Sequence, residues 1–487
     1  MRISETQFFL DREAGIGLQV QLRERIAAAI LARRFTPGQR LPSSRKLADH
    51  LGIARITVSI VYQDLVADGY LEAAPRSGFF VADDAPDLLP ANTRPKVPAE
   101  ERLDWDGWLT GRYRRLLRVE KPLDWRAYPY PFIYGQIDPD LFPHDDWRDC
   151  ARRALGKRDF AQVAADAIHS DDPKLVAHIL SHGLPARGVT AAAEEVLVTL
   201  GAQNALWLVI QLLSANRPRL RVVIEDPGYP ELREALRLSG CEIVPVAVDA
   251  DGLPPQAIPE GVDLVCVSPS HQAPTGVTMP MARRKELMAL AEERNFLILE
   301  DDYDFEMSFL KPANPALKSF DRRGRVIHVG SFSKSLFPGL RLGYLHADAR
   351  FIEEARSLRA LIMRHPPGTP QRTTAHFLAL GHYNAHVRRL REAFRKRRAV
   401  MTDALQTHGL RVAAASGFGG AGFWIAGPPG LDSIEFARDL REDGVLIEPG
   451  TTFFAGAHPP THFFRMAYSS ISHKKIPEGI ARLARRL

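Results

Sequence analysis

Residues 329–345 read VGSFSKSLFPGLRLGYL: a buried apolar run, then Ser331, Ser333 and Lys334, then Arg341 seven residues beyond the lysine. A lone amine straight after an apolar strand needs a reason. Working outward, short apolar runs of strand length recur upstream: EEVLVTL (194–200), LRVVIED (220–226), CEIVPVAV (241–248), VDLVCVSP (262–269), FLILEDD (296–302) and RVIHVGS (325–331). Helix-length segments separate them. Continuous apolar strands alternating with helices predict an α/β domain whose parallel sheet is covered on both faces.

Ligands of such sheets gather at the carboxyl ends of the strands. Polar clusters stand at those ends: Gly201-Ala202-Gln203, Asp226-Pro227-Gly228-Tyr229, Ser268-Pro269-Ser270-His271-Gln272, Asp301-Asp302-Tyr303 and Ser331–Lys334. Five polar ends on one edge describe one site, and Lys334 is the only lysine among them. An imine-forming amine with an acid at Asp301 or Asp302 is the pair that holds pyridoxal 5'-phosphate. The backbone N–H groups of Ala202 and Gln203, opening a helix, suit a phosphate together with Ser331, Ser333 and Arg341. Tyr229 can lie against the ring, and Tyr303 can bond its phenolic oxygen. Each residue alone has a plain explanation, such as a solvated lysine or an aspartate capping a helix. The weight lies in their joint order.

The first 83 residues have a different texture. Val20, Leu22, Ile26, Ile30 and Leu31 predict a helix over Leu18–Arg34, which Pro37-Gly38 breaks. Ser43 or Ser44 can cap a short helix with Leu47, Ala48 and Leu51 inward. After Gly52, a third helix carries Val58, Val61, Tyr62, Leu65 and Val66 on one face. YLEAAPRSGFFVA (70–82) then predicts a two-stranded wing. In a helix-turn-helix the third helix enters the major groove, which brings Arg55, Thr57 and Ser59 to base edges. Arg45 at the second helix, and Arg76 on the wing, would meet phosphate or the minor groove.

The 487 residues carry 64 basic and 58 acidic side chains, a net charge of +6 that argues little by itself. Residues 33–58 hold six basic residues against Asp49 alone, so the basic character is a local patch. No apolar run reaches the length of a membrane span and no secretory leader is apparent, so a cytoplasmic protein is expected. Three scattered cysteines suit a reducing compartment, and no metal site is expected. Prolines crowd residues 84–128, which read as a linker between a domain at 15–83 and one at 129–487.

PGQRLPSSRKLADHLGIARITVSIVYQDLVADGYLE (37–72) resembles the winged-helix domain of the GntR regulators, with Ala54-Arg55 where that family often has a hydroxyl before the arginine. The glycine turn, D-P-G-Y, P-T-G, acidic pair, S-x-S-K and R-L-G resemble the fold type I aminotransferases. Together with SPSHQAPTG (268–276), EDDYDFEM (300–307) and QRTTAHFLALGHYNAHVRRLREAFRKRR (371–398), they resemble the MocR (GabR-like) regulators over essentially the whole chain. The resemblance implies Lys334 as the Schiff-base lysine, Asp301 rather than Asp302 at the pyridine nitrogen and Tyr303 at the phenolic oxygen. It implies that Arg465, in THFFRMAYSS (461–470), takes a ligand carboxylate. It also implies a homodimer on paired half-sites of double-stranded DNA.

In such a regulator a small amino compound would displace Lys334, forming an external aldimine that alters promoter binding. A working aminotransferase with an accessory DNA-binding domain is the alternative, and a DNA-binding protein with an inert scaffold a third. Two departures fall where ligand contacts are expected: AIHSDDPKLV (167–176) lacks the family's glycine, and Ala273 replaces its aromatic residue.

Overall fold

Leu22, Ile26, Ala29 and Ile30 form the buried face of α1 (Leu18–Leu31). The helix stops three residues short of the expected Arg34. Arg33 turns left-handed at φ 55°, and the N–H groups of Arg34 and Phe35 bond back to Ala29. Ser43 caps α2 (Ser44–Leu51) by accepting from the Lys46 N–H at 3.3 Å, and Gly52 closes it at φ 61°. Ala54 offers α3 (Arg55–Ala67) no side-chain cap. Tyr62 is buried and donates to the Pro42 carbonyl at 2.9 Å, which ties α3 to the turn before α2. β1 (Leu71–Ala74) pairs antiparallel with β2 (Gly78–Val81) to make the wing.

The computed structural model describes every residue except Met1, Arg76, 87–102, 117, 118, 120 and 218, and for Arg115 the backbone only. Arg76, expected at DNA, therefore lies outside the described residues. The chain divides into two units, Met1–Gly111 and Arg112–Leu487. The division falls inside the expected linker of 84–128. Ile3 and Phe8 are buried in the core of the first unit, well ahead of residue 15. Of the expected linker, 87–102 fall outside the described residues, while Trp125 packs with Ile133 and Leu446 inside the second unit. A buried tryptophan fixes that segment where its prolines had suggested a tether.

In the second unit all six expected strands form: β3 (Val196–Thr199), β4 (Arg221–Asp226), β5 (Glu242–Ala247), β6 (Leu264–Val267), β7 (Leu297–Asp302) and β8 (Val326–Ser331). They run in one direction, with α4 (Ala202–Asn216) following β3 and α5 (Pro230–Leu238) following β4. A seventh strand, β9 (Gly343–His346), was not expected. It lies antiparallel between β3 and β8, so the order is β3-β9-β8-β7-β6-β4-β5 and the sheet is mixed. Its central strands are buried on both faces, as helix-covered sheets require. A four-stranded antiparallel sheet containing Phe463–Ala467 follows, packed against the long helix His382–Thr407. Among the described residues no helix is long and apolar enough to cross a membrane.

Candidate functional site

Because the six strands share a direction, their carboxyl ends open on one edge. A cavity of about 210 Å³ lies there, lined by Ala202, Gln203, Tyr229, Asp301, Tyr303, Ser331, Ser333, Lys334, Arg341 and Arg465. All ten side chains expected at a cofactor or its ligand line it. Ala273 lines it too, whereas none of residues 167–176 does. Asp171 and Asp172 in that stretch are instead drawn into buried pairs with Arg359 and Arg372.

Lys334 Nζ stands 4.8 Å from the Tyr134 ring centre. Gly135, at φ 75°, holds a left-handed conformation that other residues rarely adopt, and a Cβ there would lie 2.3 Å from Nζ and displace the lysine. Burial first, then the positive charges of Lys121 and Arg465, lower the Lys334 amine to about 8. Alternation along β7 turns the two aspartates to opposite faces. Asp302 is spent: it accepts from Arg187 Nε at 2.6 Å and Ser270 Oγ at 2.6 Å, with His328 Nε2 at 3.3 Å. Burial would raise its carboxyl, but Arg187 and then His328 hold it far below the usual range. Asp301 faces the cavity with a buried Oδ1 that has no partner. Burial, then Asp302 and Asp304, push it up to about 7.

At the other end, Gly201 opens α4 at φ 83°, against the Arg341 guanidinium. Arg341 donates to the Leu200 carbonyl at 2.8 Å, Ser331 Oγ accepts from the Ser333 N–H at 3.2 Å, and Ser333 Oγ is buried without a partner. Two buried unpartnered polar atoms, at Asp301 and Ser333, sit where a protonated ring nitrogen and a phosphate would satisfy them. The residues fit pyridoxal phosphate.

Arg465 donates from Nε to Glu448 at 2.6 Å and lies over the Tyr134 and Phe453 rings at 4.5 and 4.8 Å. It is therefore an ion-paired arginine whose Nη atoms remain as donors for a ligand.

Several lining residues escaped sequence reasoning. Tyr134 donates to Asp304 Oδ2 at 2.5 Å, and Asp304 Oδ1 meets His271 Nδ1 at 2.9 Å. Lys121 pairs with Glu448 at 3.3 Å. Glu231 has a buried Oε2 without a partner, and burial raises its carboxyl. Only the aromatic, glycine-containing YPFIYG (130–135) could have pointed to Tyr134.

In the first unit Arg45 is exposed on α2, and Arg55 is the first residue of α3, its Nε donating to Ser44 Oγ at 3.3 Å. Thr57 and Ser59 are half-buried. Val58, Val61, Tyr62 and Leu65 face the core, leaving Ile56 (65% exposed) and Ile60 (37%) outward beside the arginines.

The family of aminotransferases of class I and II matches residues 138–483, and the gntR family of bacterial regulatory proteins matches 18–81. The HTH-type transcriptional regulator TauR of Rhodobacter capsulatus is 52% identical over 487 residues, which cover both chains completely. The probable rhizopine catabolism regulatory protein MocR of Rhizobium meliloti is 30% identical, over 97% of this chain and 94% of its own. The chain belongs to the MocR-type GntR regulators.

A MocR-type regulator binds DNA through its GntR domain and carries an aminotransferase fold, a pyridoxal phosphate-dependent family. LysN, the α-aminoadipate aminotransferase of Thermus thermophilus, solved with N-(5'-phosphopyridoxyl)-L-leucine, shares that fold with a TM-score of 0.70 and 27% identity. It covers 79% of this chain and 98% of its own. An archaeal alanine:glyoxylate aminotransferase is alike in fold, also at 0.70.

Proposed function

We propose that this chain is a pyridoxal phosphate-dependent transcription regulator whose aminotransferase-like domain senses a small amino compound and alters promoter binding. One observation carries it: ten side chains suited to the cofactor and an acidic ligand line a single cavity, in a chain that also bears a GntR winged helix. Bound there, pyridoxal phosphate supplies a carbonyl carbon at which one amine can replace another.

Lys334 is the resident amine. With its pKa near 8, about a tenth is neutral and nucleophilic at pH 7, far more than for a solvated lysine. Asp301 would hold the proton on the ring nitrogen, and Tyr229 would cover the ring. Tyr303, whose hydroxyl donates to the His271 carbonyl at 2.9 Å, would face the phenolic oxygen. Ala202 and Gln203 give backbone N–H groups to the phosphate, with Ser331, Ser333 and Arg341 around it. Arg465 orients an incoming amino compound by its acid group.

Release of Lys334 becomes a signal only if the ligand binds two arrangements of the protein unequally. In a homodimer, two winged helices then address paired half-sites. The test is a gel shift on promoter fragments, with and without candidate amino compounds, alongside the visible absorbance of the lysine-bound cofactor. No specific shift at modest salt, or an absorbance retained in Lys334→Ala, overturns the proposal.

A second function, transamination, is favoured by the completeness of the same cavity. Rapid conversion of the cofactor to its amine form, with regeneration by a keto acid, would mark an enzyme. A spectral change without turnover marks a sensor.

A further inference from the structure

The chain joins its second unit along a particular path. Arg112 Nη2 donates to the Leu238 carbonyl at 2.9 Å. Leu116 lines an open groove of about 510 Å³ with Trp207, Leu232 and Leu238. Val119 and Lys121 then line the cofactor cavity itself, and groove and cavity share Gln203, Tyr229, Glu231 and Arg341. The segment that arrives from the DNA-binding unit is thus part of the cavity wall ten residues after the boundary between the units.

Lys121 also enters the electrostatics of that wall. Glu448 is fully buried and shared: Oε2 accepts from Arg465 Nε at 2.6 Å, while Oε1 lies 3.3 Å from Lys121 Nζ and accepts from the Tyr134 N–H at 3.2 Å. Lys121 Nζ donates to the Tyr134 carbonyl as well. Two cations meet one carboxylate directly, and Glu231 on the same wall is the other carboxyl within reach of their charges. Arg465 is packed between two rings and held by Nε. Lys121 is the more exposed cation, on a flexible stem, and can exchange Glu448 for another anion.

We propose that Lys121 and Arg465 form a two-cation seat for the acidic group of the ligand. Because Lys121 belongs to the incoming segment, occupancy of the seat is felt by the chain that leads to the DNA-binding unit. This rests on the pyridoxal phosphate reading of the cavity. An anion at Arg465 draws Lys121 from Glu448, which the buried Arg465 still satisfies. An amine lacking an acid group fills the remainder of the cavity and leaves Lys121 where it stands. The seat therefore selects amino compounds with an acidic oxyanion group and reports them in one step.

The experiment uses the full chain freed of cofactor and two probes: pyridoxamine phosphate, which has no acid group, and N-(5'-phosphopyridoxyl)-L-alanine, which adds a carboxylate. The wild type should bind the second more tightly. The ratio of the two affinities should fall about tenfold in Lys121→Met, the loss of one charge-assisted contact, and largely recover in Lys121→Arg. Hydrogen exchange in peptides from 112–128 should slow more with the carboxylate probe than with pyridoxamine phosphate in the wild type, and equally with both in Lys121→Met. Circular dichroism and exchange in the sheet show that each variant is folded, and Lys121→Gln serves if the methionine variant is not.

A ratio unchanged in Lys121→Met and Lys121→Gln, or a wild type indifferent to the carboxylate, overturns the seat. A ratio that falls with no probe-dependent exchange in 112–128 overturns the link to the incoming chain. A wild type that binds neither probe overturns the pyridoxal phosphate reading itself, a separate failure.

Discussion

Arg187 and Asp302 make a fully buried ion pair, Nε to Oδ2 at 2.6 Å, one residue along the strand from cavity-facing Asp301. Adjacent carboxyls thus have opposite duties, and their substitutions should separate cleanly. Asp302→Asn leaves a buried guanidinium without its counter-charge and should cost about 3–5 kcal/mol in denaturant unfolding. Asp301→Asn removes a buried charge that has no partner on Oδ1, so stability should hold or rise. Its affinity for pyridoxal phosphate should fall about 10–100-fold, read by fluorescence titration.

Cofactor capture should follow the Lys334 amine. Its folded pKa lies near 8, so the rate of imine formation with added pyridoxal phosphate should climb steeply up to about pH 8 and level off above it. A solvated lysine would keep climbing toward pH 10. Stopped-flow absorbance across pH 6.5–10, with Lys334→Ala as the blank, gives the profile.

On DNA, Arg55→Ala should weaken binding to a selected half-site about 10–100-fold and relax base preference at one position. Ile56 offers an apolar contact on the same exposed face. Replacing thymine by uracil at the position it reads should cost the wild type about threefold or more, and Ile56→Ala nothing. Random-pool selection followed by gel shifts at fixed salt measures both.

Glu225 lies buried behind the site, accepting from the Ser268 N–H at 3.2 Å, its other oxygen unpartnered. Burial raises its carboxyl to about 8, above the ordinary value of 4.5. The folded state therefore holds a proton the unfolded chain has lost, and its contribution to stability declines as pH rises from about 4.5 through 8. Glu225→Gln keeps the shape without the titration. Its melting temperature should gain on the wild type across that window and run parallel above it.

The parts of the molecule legible in its sequence are those made by local pattern. Six apolar runs became six strands, and the helices of the first unit formed on their apolar period, with a cap at Ser43 a few residues before the period of α2. β9 was missed because Gly343–His346 is short and follows the lysine motif without a break. Asp301 and Asp302 differ only once the strand has a register and hence two faces. Tyr134 and Lys121 were invisible for another reason: their partners at Asp304 and Glu448 lie far along the chain, and only folding joins them. Trp125 likewise sat among prolines that hid its burial.

Gly343 pairs with Thr199 on one side and Ser331 on the other, and a Cβ there would press on the Gly330 carbonyl at 2.7 Å. The two loops proposed to hold the phosphate therefore leave strands separated by one intervening strand, a gap of about 10 Å set by main-chain spacing. Side-chain substitution cannot widen or narrow it. On the proposed reading, the phosphate end is a fixed gauge, indifferent to which compound is bound, and selectivity falls to the rest of the lining, where Lys121, Tyr134 and Glu231 can differ without disturbing that spacing.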